Sequence, residues 1–385
     1  MFPMWLTAYA FAAVMAGTTL PTPLYPHYEE RWGFSPLIIT VIFAVYAVGV
    51  IAALLFLGSL SDQIGRRPAL LAALALSAVS AVAFLLAGGL GALLAGRALS
   101  GLSAGICTGA GTATLVDLAP LGRQSFASGV ATAANLGGLG FGALLGGVVA
   151  ASATAPLRLP FWVDLVLLAP AFAAVIHVPE TVRPSTGTVV RMQRLRVPAQ
   201  LRGNFTRAAA AGFASFAMSG LFSAVAPTFV ATLLHEPSPV LAGVMVFALF
   251  AASAVGQLAL GRMSAWAGLS AGCIGVIAGA GLVAAALALG SLAILIAGAV
   301  VAGLGQGLSV GAGLTVLNAQ APPDRRGEVA SSYFVVVYVA LSIPIVGVGL
   351  ATQISGLRPA ALIFTAFVAA LAAACLISCS WVGRQ

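Results

Sequence analysis

Apolar residues in this chain do not alternate with polar ones. They gather in runs of about twenty, separated by short polar links. The runs cover residues 3–22, 36–57, 69–88, 91–115, 125–150, 160–178, 208–233, 239–260, 269–288, 291–317, 329–352 and 359–382. Each is close to the roughly 20 residues that a helix needs to cross a hydrocarbon core about 30 Å thick. No water reaches the backbone there, so each run must bond internally as a helix; an open strand would not survive. The pattern predicts an all-α membrane protein with twelve transmembrane helices. The links on the side opposite the termini are short, except "PTPLYPHYEERWGFSP". Its acids, aromatics and prolines predict a structured extracellular turn.

The longest polar segment, "PETVRPSTGTVVRMQRLRVPAQLRGNFT" (179–206), follows the sixth run. It divides the chain into a first bundle, 1–178, an Arg-rich linker, 179–206, and a second bundle, 207–385. In the linker Val189, Val190, Met192, Leu195 and Val197 alternate with Arg191, Arg194 and Arg196. This suits a strand of chain resting on an anionic lipid surface, or a regulatory, partner-binding segment. An internal repeat supports the division. "GLSAGICTGAGTATLVDLAP" from Gly101 and "GLGQGLSVGAGLTVLNAQAP" from Gly303 agree at nine of twenty positions, at a constant offset of 202. After one inserted residue Arg123, Ala127 and Ser128 align with Arg326, Ala330 and Ser331. The fourth run thus matches the tenth and the fifth the eleventh. Like halves in the same orientation predict two pseudo-symmetric six-helix bundles that rock about a central site.

Charge sharpens this picture. Charged residues are only 7% of the 385, and hydrophobic residues 61%; soluble domains carry about 25% charge. The net charge of +8 suggests nucleic acid, but its distribution indicates a membrane. All 17 basic residues are Arg. With the first link outside, Arg66, Arg67, Arg123, Arg183, Arg191, Arg194, Arg196, Arg202, Arg207, Arg262, Arg325, Arg326 and Arg384 fall on the inner side. Only Arg31, Arg158 and Arg358 fall outside. By the positive-inside rule both termini are cytoplasmic, in a bacterial inner membrane. The first run begins near Phe2 without a basic leader and is expected to stay as an uncleaved anchor. Cys107, Cys273, Cys375 and Cys379 all lie in apolar runs, without His or acid beside them, and read as small packing residues.

Polar chemistry concentrates in few places. "GSLSDQIGRRPAL" (58–70) packs Asp62, Gly65, Arg66, Arg67 and Pro68 between the second and third runs. Pro68 suits a first helical turn, and Gly65 permits a tight turn. Asp62 opposes the local positive bias and needs a cation or a helix N-terminus; Arg66 is four residues on, and Asp117 ends the fourth run on the same side. Arg97 lies six residues inside its run, about 9 Å along the axis. An Arg at the centre of a span costs about 2.5–3.5 kcal/mol on insertion scales, so it needs a destination. Asp164 is the one acid clearly within a span, at a depth similar to Arg97, and can carry a proton. Gly138, Gly142 and Gly146 repeat every four residues and form a flat face for close helix contact.

The 58–70 stretch resembles the loop signature of the major facilitator superfamily, Gly-x-Leu-x-Asp-x-x-Gly-Arg-Arg, between the second and third helices. The resemblance covers the whole chain topologically and implies the major facilitator fold. It further implies that Asp62, Gly65, Arg66, Arg67 and Asp117 form an inner gate, capping the start of the eleventh span near Gly327 to Ser331. The matching link of the second half, "GQLALGRMSAW", keeps Gly256, Leu258 and Arg262 but has no acid. "GRALSGLSAG" (96–105) resembles the fourth-helix signature of proton-coupled members, with Ser100 where Gln is usual. There the Arg faces the cavity and moves protons or binds substrate. "GGLGFGALLGG" (137–147) resembles the fifth-helix signature of antiporters, with Ala143 replacing its Pro. The first helix lacks the acid those members carry, so Asp164, Glu29 and Glu30 are the expected partners of Arg97.

Met15, Asn135, Met218, Phe222, Gln257, Gln306, Tyr333 and Tyr338 are expected to line a mostly apolar cavity suited to a lipophilic compound. No phosphate-binding loop is present, so nucleotide is not expected as energy source or cofactor, and the proton is the expected coupling ion. His27, His177 and His235 are scattered, and no catalytic or metal-ligand cluster is seen, which disfavours an enzyme. The reading is a monomeric secondary transporter working by alternating access, with proton-coupled efflux of small lipophilic compounds or drugs foremost. Uptake by a symporter or uniporter is the alternative. A receptor or lipid scramblase is the alternative of another class.

Overall fold

A computed structural model describes residues 1–58, 60–152, 154–182, 195–233, 238–322 and 325–382. The linker positions Arg183, Val189, Val190, Arg191, Met192 and Arg194, and also His235 and Arg384, lie outside the described residues. Every regular element among the described residues is helical. In chain order they are α1 (Phe2–Thr19), α2 (Tyr25–Trp32), α3 (Pro36–Leu57), α4 (Leu60–Ile64), α5 (Arg66–Leu85), α6 (Leu90–Asp117), α7 (Gln124–Ser152) and α8 (Leu159–Ile176). Then follow α9 (Arg202–Gly220), α10 (Ala226–Leu233), α11 (Pro239–Ala259), α12 (Ala265–Leu289), α13 (Leu292–Gln320), α14 (Arg326–Ser355) and α15 (Leu357–Val382).

Among the described residues eleven helices are long and apolar enough to cross a membrane. The first run becomes α1, whose Thr7, Tyr9, Thr18 and Thr19 dilute its apolar content. The polar turn after it folds as a 3₁₀ turn, Thr22–Leu24, and then α2. The seventh run is not one regular helix. A π-helical segment, Leu221–Val225, separates α9 from α10; such segments shift the helix phase and often mark functional positions.

Helix starts follow local chemistry. Pro stands in the first turn of α1, α2, α3, α8 and α11, where no N–H partner is lost. Ser238, Ser264 and Ser291 each accept a backbone N–H at the start of α11, α12 and α13. α5 differs, because its N-cap is Gly65, which has no side chain.

α1, α3, α5, α6, α7 and α8 pack on one another, and α9 with α11 to α15 do likewise. The two groups meet along two seams, α3 against α14 and α7 against α11. Both seams are tight on the side where α2 lies. Gly349 of α14 sits against Leu37 and Thr40 of α3, and Gly147 of α7 against Pro239 and Val240 of α11. Toward the other side, which carries α4, Gly129 of α7 meets only the tip of Leu258, at 3.4 Å from where a Cβ would stand. A cavity of about 640 Å³ opens on that side between the ends of α13 and α14.

Within the first group Gly138, Gly142 and Gly146 put α7 against Ala12 and Ala16 of α1 and Leu20 at its end. A side chain at 142 would overlap the Ala16 carbonyl, a rigid backbone atom. Gly142→Val is therefore expected to cost about 1–3 kcal/mol through overpacking, read as a lower melting temperature in detergent. Gly109→Ala, where a Cβ meets nothing within 4 Å, is expected not to lower it.

Candidate functional site: a caged guanidinium and an ionic latch

Arg97 on α6 is 1% exposed, the largest fully buried side chain among the described residues. Its Nη1 donates to the Thr18 carbonyl of α1 at 2.6 Å, and its Nη2 donates to the Tyr25 hydroxyl of α2. Its guanidinium carbon lies 5.7 Å from the ring centre of Tyr25, 5.5 Å from Phe43 and 5.4 Å from Tyr46. A guanidinium over an aromatic face gains about 0.5–1 kcal/mol when exposed and about 2 or more when desolvated. Three rings and two acceptors together offset a burial penalty of several kcal/mol. Nε has no hydrogen-bond partner among the described residues.

The acids expected to pair with Arg97 do not reach it. The ion pairs among the described residues both belong to Arg66. Tyr25 and Tyr28, three apart on α2, turn one face inward, while Glu30 on the same helix is exposed. Glu29 is half-buried; burial, and then the neighbouring Glu30, push its carboxyl above the usual carboxylate range. Asp164 of α8, 3% exposed, lies on Gly17 of α1, where a Cβ would come within 2.9 Å of its Oδ2. Its Oδ1 has no partner among the described residues. Asp164 and Arg97 therefore touch neighbouring residues of one helix: the acid sits on Gly17, and the guanidinium bonds the carbonyl of Thr18.

A second link runs from the cage to the other helix group. The Tyr46 hydroxyl lies beside Thr18 and beside Tyr338 of α14. The Tyr338 ring meets Phe216 of α9 edge-on at 5.6 Å. Tyr338, Asn135 and Gln257 are half-buried. The other proposed lining residues are not at an open surface. Met15 fills the space over Gly138, and Met218 and Phe222 are buried in the core. Gln306 accepts from Ser253 inside the second group. Tyr333 is wedged over Gly212 and Gly313 and donates to the Val310 carbonyl at 3.3 Å. Met15, Gln306 and Tyr333 thus touch residues of their own half. Sequence reasoning did not single out Tyr25, Phe43 or Tyr46; the available signal was two aromatic pairs at helical spacing, 25/28 and 43/46.

Residues 60–70 form a network of ion pairs and hydrogen bonds, here called the latch. Arg66 donates from Nη1 to Asp62 at 2.6 Å and to Ser61 at 2.7 Å, and from Nε to Asp117 at 3.1 Å. Glu180, just past α8, completes it. Its carboxylate accepts from the backbone N–H of Arg66 at 2.7 Å and of Arg67 at 3.1 Å, capping α5 in place of the missing Gly65 side chain. Gly65 has φ +102°, and a Cβ there would also collide with Glu180. The Thr181 hydroxyl donates to Asp117 at 3.0 Å. The start of the linker is thus tied to the latch. Glu180 was missed in the sequence, although an acid at the mouth of an Arg-rich segment was a signal. Asp62 is spent on Arg66 and is otherwise 62% exposed. Gly327 and Ala330, near the start of α14 where the latch was expected to cap, border the 640 Å³ cavity together with Thr315, Asn318, Ala319 and Arg326. Glu180→Ala is expected to lower stability by about 1 kcal/mol, the usual worth of a helix cap. Asp62→Ala is expected to cost less, as an exposed ion pair. Melting temperatures of the two variants check the order.

Comparison with known proteins agrees with this architecture. Residues 7–345 match the family model of the Major Facilitator Superfamily. A 67-residue stretch is 42% identical to Multidrug resistance protein MdtL of Escherichia coli O45:K1 (strain S88 / ExPEC), covering 17% of this chain and 17% of that protein. Among solved structures, a bacterial homologue of the human lysosomal transporter Spinster, inward-facing and unoccupied, superposes with a TM-score of 0.75 at 15% identity, over 98% of this chain and 96% of that one. A point mutant of the nucleoside transporter NupG does so at 0.73 and 13% identity, over 98% of this chain and all of that one. At such identities the likeness is one of fold. With the family model spanning most of its length and two groups of six packed helices among the described residues, the chain belongs to the Major Facilitator Superfamily, as an integral membrane protein with a transporter fold.

Proposed function

We propose that the protein is a secondary transporter of a bacterial cytoplasmic membrane that exports small lipophilic compounds in exchange for protons, by alternating access. The observation that carries this reading is Asp164, a carboxyl 3% exposed within a spanning helix, with one oxygen unpartnered among the described residues. An ionisable group at that depth is expensive to keep and by default marks function. Asp164 is placed to act through α1. Gaining or losing a proton changes what its carboxyl needs at Gly17, and a shift of α1 moves the Thr18 carbonyl that holds Arg97. Tyr46, beside both Thr18 and Tyr338, carries the shift to the second group. A ligand-driven switch of this kind needs an element with two arrangements that both sites bias; α1 is that element here.

The Arg distribution assigns the latch side to the cytoplasm. Seams tight on the far side and looser contact at Gly129 on the latch side fit loading of an exported compound from the latch side. The short likeness to a multidrug resistance protein favours export. On this reading the substrate site is where the groups meet, at Tyr338, whose ring contacts Phe216.

The test uses proteoliposomes loaded with a lipophilic dye under an imposed pH gradient. Gradient-driven dye movement is expected. Arg97→Ala is expected to abolish it with expression intact. Asp164→Asn is expected to leave residual dye exchange that no longer responds to pH. Dye movement indifferent to the gradient in the unmodified protein, or full coupling in the Asp164→Asn variant, would overturn proton exchange through this residue.

A further inference from the structure

The cage around Arg97 is rich in donors and poor in acceptors. The Nε of Arg97 has no partner among the described residues, nor does the hydroxyl of Tyr28 or of Ser100. All three residues are at most 3% exposed. Ser100 is one turn from Arg97 on α6. Tyr28 is one turn beyond Tyr25 on the same inward face of α2, its ring stacked on Trp32 at 5.4 Å. The positive charge meets no carboxylate among the described residues; its two acceptors are a neutral carbonyl and a neutral phenol. Water in lipid is scarce, and unpartnered buried donors cost about 1–3 kcal/mol each. With an unbalanced guanidinium at its centre, a site so built suits an acceptor with negative charge.

In a guanidinium, Nε–H and the Nη2–H beside it form one edge that a carboxylate grips with both oxygens. Here the Tyr25 hydroxyl holds Nη2, and Nε is left over. Tyr25 thus occupies one of the two nitrogens of that edge and leaves the other open. We propose that Arg97 is the anchor for a carboxylate on the transported compound, which displaces the Tyr25 hydroxyl and takes the Nε–Nη2 edge, with Tyr28 and Ser100 as further donors. This rests on the transport reading and names its substrate class: organic acids with an apolar body.

Displacing Tyr25 has a mechanical consequence. Tyr25 begins α2, and the next turns of α2 close the far side of the molecule. Pro26, His27 and Glu30 face Pro227 of α10 and Pro239 of α11 across a pocket of about 150 Å³. The bond from Arg97 to Tyr25 pins this helix down. A carboxylate that takes the place of Tyr25 frees α2, so the seam opens only behind a loaded site. The anion reaches Arg97 from the latch side once Tyr46 and Tyr338 part.

The experiment compares three probes with one ring system and three charges: naphthalene-2-carboxylate, naphthalene-2-carboxamide and 2-naphthylmethylammonium. Binding to the full-length protein in nanodiscs is followed by tryptophan fluorescence. The carboxylate is expected to bind at least about tenfold tighter than the amide, as a charge-assisted bidentate pair would. Arg97→Gln is expected to abolish that preference. Tyr28→Phe and Ser100→Ala are expected to weaken the carboxylate by roughly two- to tenfold each. Tyr25→Phe, which removes the competing hydroxyl, is expected to tighten it, an outcome that a merely structural tyrosine would not produce. Equal binding of the three probes, preference for the ammonium, or no tightening in Tyr25→Phe would overturn the inference; the last still decides if Arg97→Gln misfolds. pH-driven movement of the neutral dye is measured on the same preparation. If it persists without a carboxylate preference, the anchor fails and the transport reading stands. If carboxylate is bound but nothing moves, the transport reading fails instead.

Discussion

A guanidinium buried in the middle of a protein that is itself surrounded by lipid has no cheap solution. Arg97 is held by one backbone carbonyl, one phenol and three ring faces, and by no carboxylate among the described residues. This arrangement ties together four elements that otherwise have separate tasks. α6 carries the charge, α1 supplies the carbonyl, α2 the phenol, and α3 two of the rings. Through Tyr46 the same charge is connected to α14 and so to the opposite half. Because a lone charge in a low dielectric interacts strongly with anything that moves near it, every rearrangement of these helices is felt at Arg97.

Charge is treated differently at the membrane edge. There Asp62, Arg66, Asp117 and Glu180 form a solvent-facing network in which each pair contributes little alone. Its worth lies in connection. Arg66 joins α4 to the end of α6, and Glu180 fastens the chain just past α8 to the first turn of α5. The glycine face of α7 serves a third purpose. It brings α7 against α1 closely enough that α1, the helix between Asp164 and Arg97, is confined on one flank by rigid backbone.

Several of these features were legible in the sequence. Length and apolar content place the helices to within a few residues, as with α3 at 36–57, because lipid leaves the backbone no alternative to internal bonding. The pairing of Asp62 with Arg66 follows from their four-residue spacing, and Asp117 from the length of the fourth run. The glycine period of four marks a contact face, although not which helix it meets. The cavity-lining residues were far less legible. Tyr333, Gln306, Met15 and Phe222 are on suitable helices, but whether a side chain faces the cavity or its own half depends on helix rotation, and nearly uniform hydrophobicity hides that rotation. The π segment at Leu221–Val225 adds a phase shift with no mark in the residue pattern.

The sequence by itself determined the membrane class, the number of spans, the two-fold repeat and the identity of the charges that must be accommodated. These are consequences of composition and period, which act locally along the chain. Only the tertiary structure decided who accommodates them. Arg97 found Tyr25 and Thr18 instead of an acid, Asp164 found Gly17 instead of Arg97, and the bare start of α5 found Glu180, 114 residues beyond Arg66. Each partner was chosen by proximity among packed helices in a solvent that offers no substitute, and proximity between distant segments is not written in any one of them.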